Sequence, residues 1–141
     1  MSKIAKLEIA VIIILLICIG LYLTPYFKKS ADERKIAKIN ANAAIFTSKS
    51  LAEFSRGKDQ KASIVAKKTM DELNTVSKNP YDRKLPAYVS GNVFCGSVSI
   101  ESDDKLQTIT ATGYGRDNVI IVRTVIKPPS FVTYKKYEDK K

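Results

Sequence analysis

Few residues in this chain of 141 could take part in acid–base, nucleophilic or metal chemistry. The sequence contains no histidine, which is the commonest general base and the commonest metal ligand in proteins. Its two cysteines, Cys18 and Cys95, are too few for a disulfide framework or a zinc cluster. No nucleophile and base stand in a recognisable pattern. We therefore predict no catalytic residue, no cofactor and no enzymatic activity.

Acidic and amide side chains in two predicted turns are the remaining candidates for a site. Asp117 and Asn118 supply oxygen donors of the kind that bind Ca²⁺, and Asp103 and Asp104 form a similar pair. Neither pair belongs to a run with the roughly six to eight oxygen ligands that Ca²⁺ takes. Such residues in turns usually hydrogen-bond nearby backbone groups or face solvent. The sequence therefore predicts no metal site, and Asp117 with Asn118 is the nearest approach to one.

The apolar residues are concentrated at one end of the chain. Nineteen consecutive residues from Ile9 to Phe27 carry no charge, although the mean hydropathy of the whole chain is only −0.12. As a helix this run would extend about 28 Å, close to the ~30 Å hydrocarbon core of a bilayer. Tyr22 and Tyr26 would lie at its interfacial end. We predict that residues 1–29 form a short basic N-terminus and a transmembrane helix.

Two alternatives concern this run: that it is a cleavable signal peptide, and that it is oriented with the larger part of the chain in the cytosol. A cleavable signal peptide would have a shorter apolar region, about 7–15 residues, followed by small residues at the cleavage site, whereas this run ends in Leu-Thr-Pro-Tyr-Phe. Its orientation depends on the flanking charges, which favour the cytosol for the larger part of the chain by the positive-inside rule. Two lysines precede the run, and five basic residues follow it: Lys28, Lys29, Arg34, Lys35 and Lys38.

The remaining chain predicts two helical segments followed by a sheet. Residues 30–56 repeat apolar side chains near the helical period and predict an amphipathic continuation of the first helix. Residues 57–89 predict a second helix, from Asp59 to about Val76, and a loop. The apolar faces are Ile36, Ile39, Ala43, Phe46 and Phe54 on the first helix, and Ala62, Val65, Ala66, Thr69, Leu73 and Val76 on the second.

Residues 90–133 predict a small antiparallel sheet of three strands, the first from alternating apolar residues and the other two from runs rich in β-branched residues. The strands are predicted at 93–101, 106–114 and 119–126, with Pro128-Pro129 ending the last. Residues 134–141 are predicted to be a polar tail. A sheet of this size buries little by itself, so the amphipathic half of the long helix is expected to pack on it. The predicted fold class is therefore α+β.

Glu8, within the sequence Leu-Glu-Ile-Ala-Val, stands at the start of the apolar run and seventeen residues before Pro25. The predicted long N-terminal helix is apolar first and amphipathic second, and it packs on a small antiparallel sheet. Both features resemble type IV pilins and type II secretion pseudopilins, in which a glutamate interrupts the start of the apolar run and a helix-kinking proline follows seventeen residues later. The resemblance covers residues 4–54 by motif and the rest by architecture.

The resemblance implies a structural subunit that is anchored in the cytoplasmic membrane and assembles through its N-terminal helix into a pilus or pseudopilus. Glu8 would neutralise the N-terminal amine of a neighbouring subunit, and Pro25 would kink the helix. The implied partners are copies of itself, other pilins or pseudopilins, the inner-membrane assembly machinery and the lipid bilayer. Peptidase processing would fall between Lys3 and Ile4, although Lys3 stands where family precursors have glycine.

Alternatives stand beside each of these expectations. Glu8 also fits a carboxylate at head-group depth, near the positive end of the helix dipole, with no part in assembly. The chain as a whole also fits a single-pass, membrane-anchored binding module that never polymerises. Its net charge of +10 makes DNA a further candidate partner, but acidic residues are interspersed with the basic ones and no dense nucleic-acid patch results.

Overall fold

The computed structural model describes residues 3–57 and 60–135, and the side chains of residues 11–57 and 60–134. The described chain contains two α-helices and five β-strands. It divides into two compact units, Met1–Arg34 and Lys35–Lys141, which are considered one at a time.

Helix α1 extends from Lys3 to Arg56 and supplies the whole described part of the first unit. Its apolar stretch is not buried anywhere in the structure, and it is the only helix among the described residues that is long and apolar enough to cross a membrane. A signal sequence near an N-terminus meets the same criterion, whereas the core helix of a soluble protein would be mostly buried. Pro25 lies inside the helix, where its missing N–H leaves the carbonyl of Leu21 without its usual partner.

In the second unit the C-terminal part of α1 lies on a sheet and presents the predicted face to it. Ile39, Ala43 and Phe46 are buried, which confirms the prediction from their spacing, and Ile36 and Phe54 pack partly buried against the same core. The exposed side of this part of the helix carries charged residues together with small ones such as Ala41 and Ala44. The helix is thus amphipathic where the sequence predicts it to be.

Helix α2 extends from Ala62 to Val76 and packs against the same core. Five of the six predicted contact residues are buried: Ala62, Val65, Ala66, Thr69 and Leu73. The prediction for Val76 is wrong, since this side chain is 78% exposed at the last residue of the helix. The predicted start, Asp59, lies outside the described residues.

The sheet has five strands rather than the predicted three. They are β1 (Tyr88–Val89), β2 (Val98–Asp103), β3 (Thr108–Tyr114), β4 (Ile120–Lys127) and β5 (Ser130–Lys135), and they lie in the order β1-β2-β3-β4-β5. The three central strands correspond to the predicted ones and pair antiparallel, but the prediction that the first of them begins at residue 93 is wrong, since β2 begins at Val98. The short strand β1 pairs with β2 in parallel, so the sheet is mixed.

The two prolines end β4, as predicted, but a fifth strand that was not predicted follows them directly. Pro128 and Pro129 connect β4 to β5, and pairing resumes at once with Lys127 opposite Ser130. Proline cannot donate to a strand ladder, but it is well tolerated in turns between strands. Tyr134 and Lys135, which were assigned to the polar tail, are the last residues of β5, and residues 136–141 lie outside the described part of the chain.

Candidate assembly helix and the surfaces around it

The residues with a predicted role in assembly lie in the first unit. Glu8, Lys3 and Ile4 belong to α1, but their side chains are outside the described ones, so only their place in the helical backbone is known. The residues from Val11 to Phe27 are all exposed. A helix that exposes apolar side chains around its whole circumference needs lipid or other protein to cover it.

The C-terminal end of α1 is tied to α2 by ion pairs. Glu53 is buried and accepts hydrogen bonds from Nζ of Lys68 at 2.6 Å and from a guanidinium nitrogen of Arg56 at 2.9 Å. One turn earlier, Nζ of Lys49 lies 2.6 Å from a carboxylate oxygen of Glu72, and both side chains are partly exposed. The hydrogen bond from Lys68 lowers the pKa of Glu53, and the same contact raises the pKa of Lys68.

Acidification is therefore expected to weaken the second unit through Glu53. A carboxyl whose pKa is lowered in the folded state contributes stability above its ordinary pKa of 4.5, and this contribution is lost as the pH falls through the lower, folded-state value. Glu53→Gln removes both ion pairs at nearly constant size. We expect a lower thermal unfolding midpoint at neutral pH and a smaller loss on acidification than in the wild type, measured by circular dichroism. Glu72→Gln, which removes only the exposed pair, is the control, and an equal effect from both variants would contradict a special role for Glu53.

Asp104, one of the acidic residues in the predicted turns, hydrogen-bonds the first turn of helix α2. Asp104 lies in the turn between β2 and β3, and its carboxylate accepts hydrogen bonds from both the N–H and the hydroxyl of Ser63, each at 2.8 Å. Ser63 is in the first turn of α2, whose N-cap residue Lys61 makes no side-chain cap bond. The bonds from Ser63 lower the pKa of Asp104. The turn of the sheet thus caps the second helix, as a capping side chain within the helix would.

In the second acidic turn, both residues that could supply oxygen ligands, Asp117 and Asn118, have left-handed backbone conformations. Asp117 has a φ of 55° and Asn118 a φ of 56°, within a short 3₁₀ turn at Arg116–Asn118. Asp and Asn tolerate this conformation better than other residues with a Cβ. Among the described residues no group of three or more His, Cys, Asp or Glu side chains is placed to hold a metal ion.

Asn79 organises the loop between α2 and the sheet, a role that the Asn-Pro turn in the sequence only hints at. Its buried side-chain oxygen accepts the N–H groups of Tyr81 at 2.8 Å and of Asp82 at 3.2 Å. Its side-chain nitrogen donates to the carbonyl of Cys95 at 2.9 Å. The loop before β2 is therefore fixed to the loop after α2. Cys95 is half-buried, and burial raises the pKa of its thiol.

Tyr88 connects the edge strand β1 to the long helix. Its hydroxyl donates to the backbone carbonyl of Asn42 at 2.9 Å, and its ring lies 5.7 Å from that of Phe46. Burial raises the pKa of Tyr88 to about 12. The amide of Asn74 in α2 pairs with both backbone groups of Tyr88, each at 2.9 Å. These contacts place α1, α2 and β1 in one packed unit.

A groove of about 330 Å³ lies between α1 and the last two strands. Its lining contains no charged side chain and comes from Asn40, Ala43, Ala44, Thr47, Ser48, Val122, Thr124, Phe131 and Thr133. The side-chain oxygen of Asn40 is buried and has no hydrogen-bond partner among the described residues. The sequence did not predict this groove, because Phe131 and Thr133 in its lining belong to the unpredicted strand β5.

Comparison of the chain with protein-family models, with curated proteins and with solved structures finds no match.

Proposed function

We propose that this chain is a pilin-like structural subunit, anchored in the cytoplasmic membrane and assembled through α1 into a pilus or a secretion pseudopilus. The observation that carries the proposal is that the two halves of one helix have different surroundings. The same helix, Lys3–Arg56, exposes an apolar surface from Val11 to Phe27 and buries Ile39, Ala43 and Phe46 further along. One half is free to enter lipid or a bundle of helices, and the other half carries a folded unit.

The energetic argument for assembly concerns the apolar half of α1. In a bilayer its side chains contact lipid, and in a fibre core they contact the same half of neighbouring copies. The two environments are similarly apolar, so the exchange needs packing or paired polar groups to favour the fibre. Glu8 at the edge of the apolar run is the polar group available for such pairing, because a charge within a membrane is costly unless it is paired.

In this proposal the second unit lies outside the cytosol, in the periplasm or on the surface of a fibre. The partners are copies of the chain, other pilins or pseudopilins, the inner-membrane assembly machinery and the lipid bilayer. The chain performs no chemistry in this role and needs no cofactor.

A second candidate function is a single-pass anchored binding module that does not polymerise. The flanking charges favour it, since five basic residues follow the apolar run within eleven positions and two precede it. By the positive-inside rule this difference would retain the second unit in the cytosol, where a half-buried thiol such as Cys95 would also remain reduced.

A topology reporter separates the two candidates. We expect alkaline phosphatase, fused after Lys141 of the full chain, to be active, because this enzyme folds to its active form only outside the cytosol. A fusion to a reporter that is fluorescent only in the cytosol should be dark in the same cells. The opposite pattern would overturn the pilin-like proposal and favour the anchored module.

A further inference from the structure

Three basic side chains surround α1 just after its apolar run. Lys28 and Lys29 follow the run directly, Arg34 lies less than two turns beyond Lys28, and all three are exposed. A helix rotates by about 100° per residue, so Lys29 lies about 100° and Arg34 about 240° around the axis from Lys28. The three positions are therefore spread around the whole circumference of the helix. We call them the cationic collar.

The side chain of Arg34 extends back towards the apolar run. Its Nε donates to the backbone carbonyl of Ser30, four residues earlier, at 3.3 Å. Side chains of a helix generally lean towards its N-terminus, and in α1 the N-terminal half is the apolar one. This bond brings the guanidinium about one turn, roughly 5 Å, closer to Lys28 and Lys29. All three cations therefore fall within the first two turns after the apolar run.

The collar is available to an external anion. The ion pairs of the described residues involve other side chains. Of the two acidic residues nearby, Asp32 is half-buried and has a partner of its own, whereas Glu33 is exposed. The exposed side chains between Lys28 and Arg34 thus carry three positive charges and one negative charge, and a net attraction for anions remains.

The shape of the collar and the residues before it indicate which anion it fits. Tyr22, Tyr26 and Phe27 are 83%, 70% and 60% exposed. Aromatic rings of this kind concentrate at the level of the lipid head groups, and basic side chains beyond them reach the phosphates. A protein or a nucleic acid would contact the helix from one side, whereas head groups surround a spanning helix. Charges on every side of α1 therefore match lipid phosphates better than a one-sided partner.

We propose that the cationic collar binds the phosphate groups of anionic phospholipids around α1 where it leaves the bilayer. The attraction depends on the charge of the lipid, so it gives Lys28, Lys29 and Arg34 a role in either orientation of the chain. The proposal rests on the membrane anchoring in the proposed function, which the second candidate function shares.

Quenching of single tryptophans in the full chain tests the collar. The chain contains no tryptophan of its own. Leu21 lies seven residues before Lys28 and Leu23 eleven before Arg34, so each shares a helix face with its basic residue, and the two faces are about 200° apart. Both leucines are exposed, so Leu21→Trp and Leu23→Trp fit at the surface of α1. Each variant is reconstituted in vesicles of phosphatidylcholine and phosphatidylglycerol, in which one lipid or the other has brominated acyl chains.

We expect brominated phosphatidylglycerol to quench both tryptophans more strongly than brominated phosphatidylcholine at equal fractions. Lys28→Gln should lower this preference mainly at position 21, and Arg34→Gln mainly at position 23. Each loss should be about fivefold, the factor that one basic residue gains near an anionic surface. Lys28→Arg and Arg34→Lys retain the charge and should retain the preference.

Two controls separate the collar from general charge effects. Lys67→Gln makes the same charge change on an exposed residue of α2 and should leave the preference unchanged. Inorganic phosphate and sodium chloride at equal ionic strength should weaken the preference equally, by screening. A greater loss with inorganic phosphate would show a site for the free anion and overturn the assignment to lipid. A circular dichroism spectrum like that of the parent chain confirms that each variant is folded.

The proposal is overturned by equal quenching from the two lipids, by a preference that survives the triple variant Lys28→Gln, Lys29→Gln and Arg34→Gln, or by an equal loss from Lys67→Gln. An active external reporter without a lipid preference would remove only the collar. A cytosolic reporter with the preference retained would remove the pilin-like proposal and leave the collar. If neither brominated lipid quenches, the apolar run is not in the bilayer, and the anchoring and the collar are both wrong.

Discussion

Gly96→Ala is expected to destabilise the second unit by about 3 kcal/mol, the sum of backbone strain and a steric clash. Gly96 has a φ of +85°, which costs an alanine roughly 1–2 kcal/mol. A Cβ at this position would lie 2.8 Å from Cδ2 of the Tyr81 ring and would also meet the side-chain oxygen of Asn79. That oxygen is held by two backbone N–H groups, so it cannot move without breaking the loop that it organises.

Gly91→Ala is the matched control for this prediction. Gly91 also has a positive φ, +96°, but a Cβ there would meet nothing within 4 Å. It should therefore show only the cost of backbone strain, about 1–2 kcal/mol. Urea unfolding of the full chain in detergent micelles, followed by near-ultraviolet circular dichroism, measures the free energy of unfolding for both variants. Equal losses would contradict the clash, and a wild-type stability for Gly96→Ala would show that the Asn79 loop is not rigid.

Gly96→Ala also tests how the loop before β2 is connected to the sheet. The N–H of Gly96 donates to the carbonyl of Tyr114 at 2.8 Å, and the N–H of Tyr114 donates to the carbonyl of Ser97 at 2.9 Å. A displaced Gly96 would therefore disturb the end of β3 as well as Asn79. We expect the two losses to appear in one cooperative transition, because the loop, the sheet and α1 share a single core.

Local sequence patterns are sufficient to predict the elements that are long and have a clear apolar face. The face of α1 at Ile39, Ala43 and Phe46 repeats every three or four residues over several turns, and the structure buries it. The central strands are six to eight residues long, are rich in β-branched residues and are separated by turn residues, which is the pattern that indicates strands. These elements were predicted because each is long enough to show a local pattern.

The elements that the sequence did not predict are those that depend on distant partners. Strand β1 contains two residues, too few to alternate, and it exists because Tyr88 and Val89 pair with β2. Strand β5 follows two prolines, which end β4 but occupy a tight turn that returns the chain alongside it. The groove and the Asp104 cap on α2 likewise join residues that are far apart in the chain. No local pattern could have indicated them.

The residues with a proposed role in assembly show the same contrast between what the local sequence predicts and what depends on distant partners. The spacing of Glu8 and Pro25 is visible in the sequence, and the structure places both within α1. What Glu8 would contact in the proposed fibre depends on other copies of the chain, so it follows from neither the sequence nor the fold of one subunit. Its role is therefore a matter for an assembly experiment.

Glu8→Ala is expected to leave membrane insertion intact and to abolish fibres. Insertion depends on the uncharged run that begins at Ile9, which the substitution only lengthens. Assembly in the proposed fibre depends on pairing between Glu8 and a cationic group of the next subunit. A charge within the hydrocarbon costs at least about 2.5–3.5 kcal/mol when it is unpaired, so in the proposed fibre the amine left without Glu8 would oppose assembly by a similar amount. About 3 kcal/mol for each contact is roughly a hundredfold in the association constant.

Glu8→Gln and Glu33→Ala complete the design of this test. Glu8→Gln retains the size and the polarity but not the charge, so it should also prevent assembly if charge pairing is the cause. Glu33 is an exposed acidic residue on the same helix beyond the apolar run, and its replacement should leave fibres unchanged. Membrane fractionation measures insertion, and electron microscopy with quantification of sheared surface protein measures fibres. Normal fibres from Glu8→Ala would show that Glu8 is only a head-group carboxylate, and loss of fibres from Glu33→Ala would show that any acidic residue of α1 matters, which would remove the special role assigned to Glu8.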